Sequence, residues 1–236
     1  MSLVELLKKS TPKYQTKIPS TGKGIWFRPF IVREEKILLM AQETSEEHEV
    51  YKSIVNIVNN CYDGLPDAEF IPLFDLEYLF IKLRSKSVQE IVTPILECPY
   101  TKENVKLYIN LDDIQVKTFE GHQSKIKISD DIIIQMKYPS ISLFIENNVA
   151  NMQLMDFYDL AVSCIEYIET KESRMMASES PKEELKEFVD SMTKTQFDQI
   201  INFFATMPRI EHEVEYETND GEKRSVILKG IKDFFG

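Results

Sequence analysis

The side chains able to do chemistry in this chain are few and scattered. Three histidines, His48, His122 and His212, lie far apart, with no pair at metal-binding spacing. Cys61, Cys98 and Cys164 also stand far apart and are odd in number, which predicts free thiols in a reducing compartment. Cys98-Pro99-Tyr100-Thr101 has the form of half a zinc knuckle, but one thiolate cannot hold zinc, so Cys98 reads as structural. Gly22-Lys23-Gly24 lacks the upstream glycine and the following Ser/Thr of a phosphate loop and reads as a turn. Asp112-Asp113 and Asp130-Asp131 fall where strands meet turns and read as solvated turn residues, ahead of acid–base or metal work. There is no His-Glu-x-x-His, Gly-x-Ser-x-Gly, Walker or Gly-x-Gly-x-x-Gly motif. The sequence therefore predicts no catalytic residue, no cofactor and no metal: the protein is expected to act by contact.

Three places carry residues suited to contact. Gly24-Ile25-Trp26-Phe27-Arg28-Pro29-Phe30 holds the only tryptophan. Trp26, Arg28 and Phe30 form an aromatic/Arg cluster of the kind enriched in interfaces, or one that covers the domain's own core. Glu211, Glu213, Glu215 and Glu217 alternate with His212, Val214 and Tyr216, so the acids share one strand face. That ladder reads as a solvent-facing edge guarded against aggregation, with Glu213 and Glu215 as the alternative docking points for a basic partner. Ile231, Phe234 and Phe235 close the sequence. Apolar residues there imply burial, either against the body or as a hook in a partner.

Charge narrows the partners. The chain has 236 residues, 43% of them hydrophobic, and a net charge of −11. Residues 1–40 hold eight Lys/Arg against three Asp/Glu, residues 41–140 ten against seventeen, and residues 141–236 ten against nineteen. An acidic body opposes counterion-release binding to nucleic acid, while the basic N-terminal stretch either neutralises the body or attracts an acidic partner. Apolar runs such as Ile37–Ala41 and Ile132–Ile134 fall far below the ~18 residues of a membrane span. Met1 to Ser10 holds no signal-peptide apolar block, so a cytoplasmic-type globular protein is expected.

The elements that must position these residues follow from periodicity. An amphipathic piece over residues 2–9 precedes a hairpin, with Tyr14, Thr16, Ile18, Ile25 and Phe27 around the Gly22–Gly24 turn. Arg33 to Ala41, Glu46 to Asn60 and Leu73 to Lys86 read as helices, the last capped by Asp75; Asp63–Pro66 reads as a loop. Ile91 to Glu97, Val105 to Ile109, Lys125 to Ile128 and Ile132 to Met136 predict a central antiparallel sheet. Leu154 to Cys164, continued by Ile165 and Ile168, predicts another helix, and residues 170–180 a solvated linker. Ser180-Pro181 and Thr193-Lys194-Thr195-Gln196 start two further helices, with stripes Leu185, Phe188, Val189, Met192 and Phe197, Ile200, Ile201, Phe204. Asn219-Asp220-Gly221 turns a last hairpin. The expected class is α+β, with a central antiparallel sheet flanked by helices and a β-hairpin at each end. It is read as one domain over 1–236: hairpin and helices to 87, central sheet over 88–139, helices and terminal hairpin over 140–236.

Several blocks also resemble a known family. Pro19-Ser20-Thr21-Gly22, Arg28-Pro29-Phe30 and Glu34-Glu35-Lys36-Ile37-Leu38-Leu39-Met40 are similar to the opening of the T-even phage baseplate proteins. So are Leu73 to Val88, Ile109-Asn110-Leu111-Asp112-Asp113, Cys164-Ile165-Glu166, Phe203-Phe204 to Met207-Pro208, and the final hairpin ending in Phe234-Phe235. Some relatives carry a cysteine pair where this chain has Cys98 and Thr101, a departure that removes an inferred zinc ribbon here. The resemblance implies a non-enzymatic role in tail morphogenesis, as a baseplate hub subunit or hub assembly protein. Its implied partners are hub proteins and the tape-measure protein, met in the host cytoplasm, with the finished virion baseplate as the other implied location. Transient chaperone and permanent subunit both stay open, as does self-association into a homo-oligomer.

Overall fold

The computed structural model describes residues 7, 10–43, 47–146 and 154–235. The class is α+β, with several antiparallel sheets. The chain divides into two compact units: one contains the residues up to Lys117 and those from Arg209 onward, the other is Thr118–Pro208. The amphipathic piece expected over 2–9 lies, but for Leu7, outside the described residues.

In the first unit, β1 (Tyr14–Lys17) and β2 (Gly24–Phe27) pair as the expected hairpin. Gly22 turns it at φ +69°, in the left-handed region that L side chains avoid. Strand alternation buries Ile25 and Phe27 and turns Trp26 outward. β3 (Tyr62–Asp63) adds beside β2, so the loop expected from Asp63 begins at Gly64. Helix α1 (Val32–Glu43) and helix α2 (Glu47–Cys61) match their periodicity, α2 burying Ile54, Ile57, Val58 and Cys61.

Helix α3 (Leu73–Ser87) is buried around most of its circumference, so its polar side chains must find partners inside the unit. Asp75 does not cap it. Pro72 takes the N-cap position, and buried Asp75 accepts hydrogen bonds from the Ser20 amide at 2.9 Å and from the Ser20 hydroxyl in the hairpin loop. Glu77 accepts from the Tyr51 hydroxyl of α2 and from the Ile231 amide, each at 3.3 Å. Lys82 donates to the carbonyls of Leu111, at 3.2 Å, and Asp112, at 2.6 Å, and the Ser85 hydroxyl donates to the Asp112 carboxylate at 2.7 Å. One helix thus ties down the N-terminal loop, α2, the 3-10 turn Leu111–Asp113 and the last segment of the chain. Asp112 is therefore a paired group, also bonded to Lys86 at 2.6 Å, and not the solvated turn residue expected.

The strands expected to make one central sheet distribute over three sheets. β4 (Ile91–Val92) pairs with β7 (Ile109–Asn110), and β5 (Ile95–Glu97) pairs with β6 (Asn104–Lys106). Both pairs share one register, and Leu107 N–H reaches the Pro94 carbonyl at 3.0 Å between them. They form a single ribbon, interrupted at Pro94 because its ring nitrogen has no hydrogen to donate. β8 (Val116–Lys117) leaves this ribbon and pairs with a strand near the end of the chain.

The second unit holds a four-stranded antiparallel sheet in the order β12-β11-β10-β9: β9 (Lys125–Lys127), β10 (Ile132–Met136), β11 (Ile165–Thr170) and β12 (Arg174–Met176). Helix α4 (Ile141–Glu146) follows β10, and α5 (Leu154–Ser163) precedes β11. The helix expected to continue through Ile168 stops at Ser163. Ile165 and Ile168 fit both periods over so short a stretch, and pairing of Ile134 with Ile168 decides for strand. The linker expected over 170–180 holds edge strand β12 and the 3-10 turn Ala177–Glu179; polar composition there is what an exposed sheet edge requires. Asp130 and Asp131 are solvated turn residues, paired with Lys127 and Lys171.

Helix α6 (Lys182–Asp190) starts with Pro181 at its N-cap; the Ser180 hydroxyl donates back to the Met176 carbonyl and so does not cap. Helix α7 (Lys194–Thr206) opens on the expected Thr193/Gln196 capping box. Its stripe is rotated from the one expected: Phe203 is buried and Ile201 exposed. Phe203 packs against both His122 and Tyr138, and the His122 ring nitrogens meet the hydroxyls of Thr206 at 3.0 Å and Tyr138 at 2.9 Å. The core around Ile134, Ile168, Leu185, Val189 and Ile200 is apolar.

The chain returns to the first unit with β13 (Arg209–Glu217) and β14 (Lys223–Lys229), the expected hairpin, and ends in α8 (Gly230–Phe235). β13 is the middle strand, with β8 on its other side at Arg209 and Ile210.

Candidate partner-binding surface

The N-terminal cluster splits by alternation into one outward residue and two structural ones. Trp26 stands 50% exposed on β2, while Phe27 stacks inward against Tyr62. Arg28 is a clamp: its guanidinium meets Glu34 at 2.8 Å, the Pro29 carbonyl at 3.0 Å and the Asn60 carbonyl at 3.2 Å. The Glu34 hydrogen bond raises the Arg28 pKa further. Burial would raise Glu34, but Arg28 and the Ile31 amide outweigh it and hold the carboxyl below its ordinary range. Phe30 is buried, and its amide donates to the Ser87 hydroxyl at the end of α3. Arg28 and Phe30 thus fasten the hairpin to the helices, and Trp26 is what the cluster presents to solvent.

The acidic ladder is not a uniform edge. Glu211 has a 6% exposed side chain held by Arg209 at 2.7 Å and Lys117 at 3.1 Å, because β8 brings Lys117 alongside β13. These cations lower its pKa. Glu213 and Glu215 are exposed, across from Ile227 and Ser225 of β14, and no ion pair among the described residues reaches either. With exposed Ile227 they make a small acidic and apolar face. Phe234, 2% exposed, and Ile231 are buried, and Phe235 meets Phe80 edge-on beneath the Arg84 guanidinium. The end of the chain is an anchor in cis.

The ribbon supplies apolar surface that residue chemistry did not flag. Val92, Leu107 and Ile109 face the core, while Ile91, Thr93, Ile95, Lys106, Tyr108 and Asn110 share the outer face. Ile95 is 65% and Tyr108 73% exposed. The signal was present in strands apolar on both faces, which leaves one face without a core to join.

The ribbon tip and the C-terminal hairpin tip lock together. Glu103 accepts from the Asn219 amide at 2.9 Å and from its side chain, and the Arg224 guanidinium lies over the Tyr100 ring at 5.4 Å. Buried Cys98 sits between the tips, its sulfur accepting from the Tyr216 hydroxyl at 3.6 Å. Burial would raise this thiol, but Thr101, Tyr100 and Tyr216 donate to it and bring it down to about 7. Cys61 and Cys164, without such donors, are pushed by burial up to about 12.

The family model of the T4 bacteriophage base plate protein matches residues 11–236, and the chain belongs to that family. Comparison with the curated proteins and with the solved structures finds no match. Among the described residues no group of three or more His, Cys, Asp or Glu could hold a metal ion, and no helix is long and apolar enough to cross a membrane.

Proposed function

We propose that this baseplate protein is a non-enzymatic hub assembly factor, acting on baseplate hub and tape-measure proteins during tail morphogenesis in the host cytoplasm. Family membership supports a phage tail baseplate protein with other baseplate proteins as partners. The observation that carries the finer reading is the face of Glu213, Glu215 and Ile227: two carboxylates beside an apolar side chain on a chain of net charge −11. Such a face suits a basic amphipathic segment of a client, with long-range attraction speeding encounter. Trp26 and the outer face of the ribbon add apolar contact area.

The test is capture from infected cells with tagged protein, followed by mass spectrometry and a copy count in purified virions. Recovery of hub or tape-measure proteins with no copy in the virion supports a transient factor. Stoichiometric copies in the virion establish the alternative, a permanent structural subunit of the hub. Recovery of neither client overturns the reading. In the same assay Glu213→Lys with Glu215→Lys should weaken capture roughly tenfold at low salt. Unchanged capture would remove this face from the mechanism.

A further inference from the structure

The last helix rests on a carboxyl group that it also seals from water. Glu77 of α3 is 6% exposed, and the Ile231 amide and the Tyr51 hydroxyl converge on its Oε1. Gly230, at φ +61°, passes so close that a Cβ there would lie 2.8 Å from the same oxygen. A side chain there would be strained at that φ and would press on the Glu77 carboxyl. Two neutral donors do not balance a buried negative charge, so a seat of this kind favours the protonated acid.

The neighbouring charges are committed elsewhere. Lys82 of α3 faces the carbonyls of Leu111 and Asp112, and Asp112 itself faces Lys86. Lys232 and Asp233 lie on the exposed side of α8, Asp233 accepting the Lys229 amide at 2.7 Å. Neither they, Arg84 on α3, Asp113 in the 3-10 turn, nor His212 on β13 governs Glu77. Burial raises its pKa, the Ile231 amide and Tyr51 oppose the rise, and it stands at about 7.

The helix is also weakly held. Its six residues are too few to be helical alone, and Ile231 and Phe234 are its buried anchors. Against its end, over the Phe235 ring, Arg84 Nη1 is buried without a hydrogen-bond partner among the described residues.

We infer that α8 is a pH-operated latch: neutral Glu77 seats it, and ionisation of Glu77 releases it and opens the face of α3 beneath Ile231 and Phe234. The inference rests on this seat alone and is independent of the assembly role proposed above. Released Glu77 titrates near its ordinary 4.5 and seated Glu77 near 7, so opening is flat below the first value, grows tenfold per pH unit between them and levels off above the second. The whole change is on the order of a hundredfold.

The experiment is NMR-detected hydrogen exchange on the full chain across this range. It follows the protection factors of the Ile231–Phe235 amides, which are already corrected for intrinsic catalysis. Protection should fall on the order of a hundredfold towards neutral pH and then level off, while the β10–β11 amides keep theirs. Glu77→Gln should stay protected at every pH, and Tyr51→Phe should extend the fall to higher pH. Protection independent of pH in the natural chain, or the same fall in Glu77→Gln, overturns the latch. So does a fall shared by β10 and β11, which would report global unfolding. The Glu77 side-chain carboxyl 13C shift is a second readout free of any variant: a midpoint near neutrality supports the latch, and one near 4.5 overturns it.

Discussion

The two units bury polar groups to different ends. In the first, α3 carries Asp75, Glu77, Lys82 and Ser85 inward; Asp75 and Glu77 hold separate segments, one of them 154 residues away in sequence, and Lys82 and Ser85 share the Leu111–Asp113 turn. In the second, the core is apolar, and His122 lies at its margin between two hydroxyls. Apolar contact holds a fold without specifying which segment sits where; a buried hydrogen bond is lost unless the right donor meets the right acceptor. The first unit assembles parts distant in sequence and uses polar latches to select them. The second is one continuous stretch of chain and has less to select.

The comparison can be sharpened by removing one element of each kind. Phe203→Ala empties the packing between His122, Tyr138 and Phe204 and should destabilise the second unit by about 3–5 kcal/mol. Denaturant melts followed by amide exchange should place that loss in residues 118–208; an equal loss in the α3 amides would mean that the units melt as one. Asp75→Ala should be milder, about 1–3 kcal/mol, because it leaves the Ser20 amide and hydroxyl without their acceptor. Asp75→Asn, which keeps an acceptor oxygen, should recover most of this in the same melts. Equal losses for the two variants would take the hydrogen bonds out of the account.

The smallest effect is one of sign. Burial lowers the His122 pKa below its ordinary 6.5, so its contribution is complete above that value and is lost as pH falls towards the folded pKa. Glu77 runs the other way: its contribution is complete below 4.5 and is lost as pH rises towards 7. Acid should therefore loosen the second unit while it tightens the seat of α8. Exchange profiles of the two regions with parallel pH slopes would break the contrast.

The hairpins, most helices and the Thr193 capping box were legible because their signals are local. Trp26 faces outward by simple alternation, and Glu213 and Glu215 stay on the solvent side as the ladder required. What the sequence hid depends on partners far along the chain. Asp75 has the composition of a cap and serves as an acceptor for Ser20. Ile165 and Ile168 fit a helix until β10 is placed beside them. Glu211 belongs to a row of free acids until Lys117 arrives from β8. The fate of Phe234 and Phe235, anchor or hook, could not be read from apolarity alone, because the seat that receives them lies on α3. The Leu73 to Val88 block, the longest stretch of family resemblance, covers that same helix.

Glu77 and Lys117 are synthesised well before their partners Ile231 and Glu211. A nascent chain that has reached Pro208 contains every residue of the second unit, while the first still lacks β13, β14 and α8. The second unit can therefore mature during translation, whereas in the first Glu77 still lacks the Ile231 amide and Lys117 still lacks Glu211. In a cell making many copies at once, that interval is when the unfinished first unit is most open to capture by another chain.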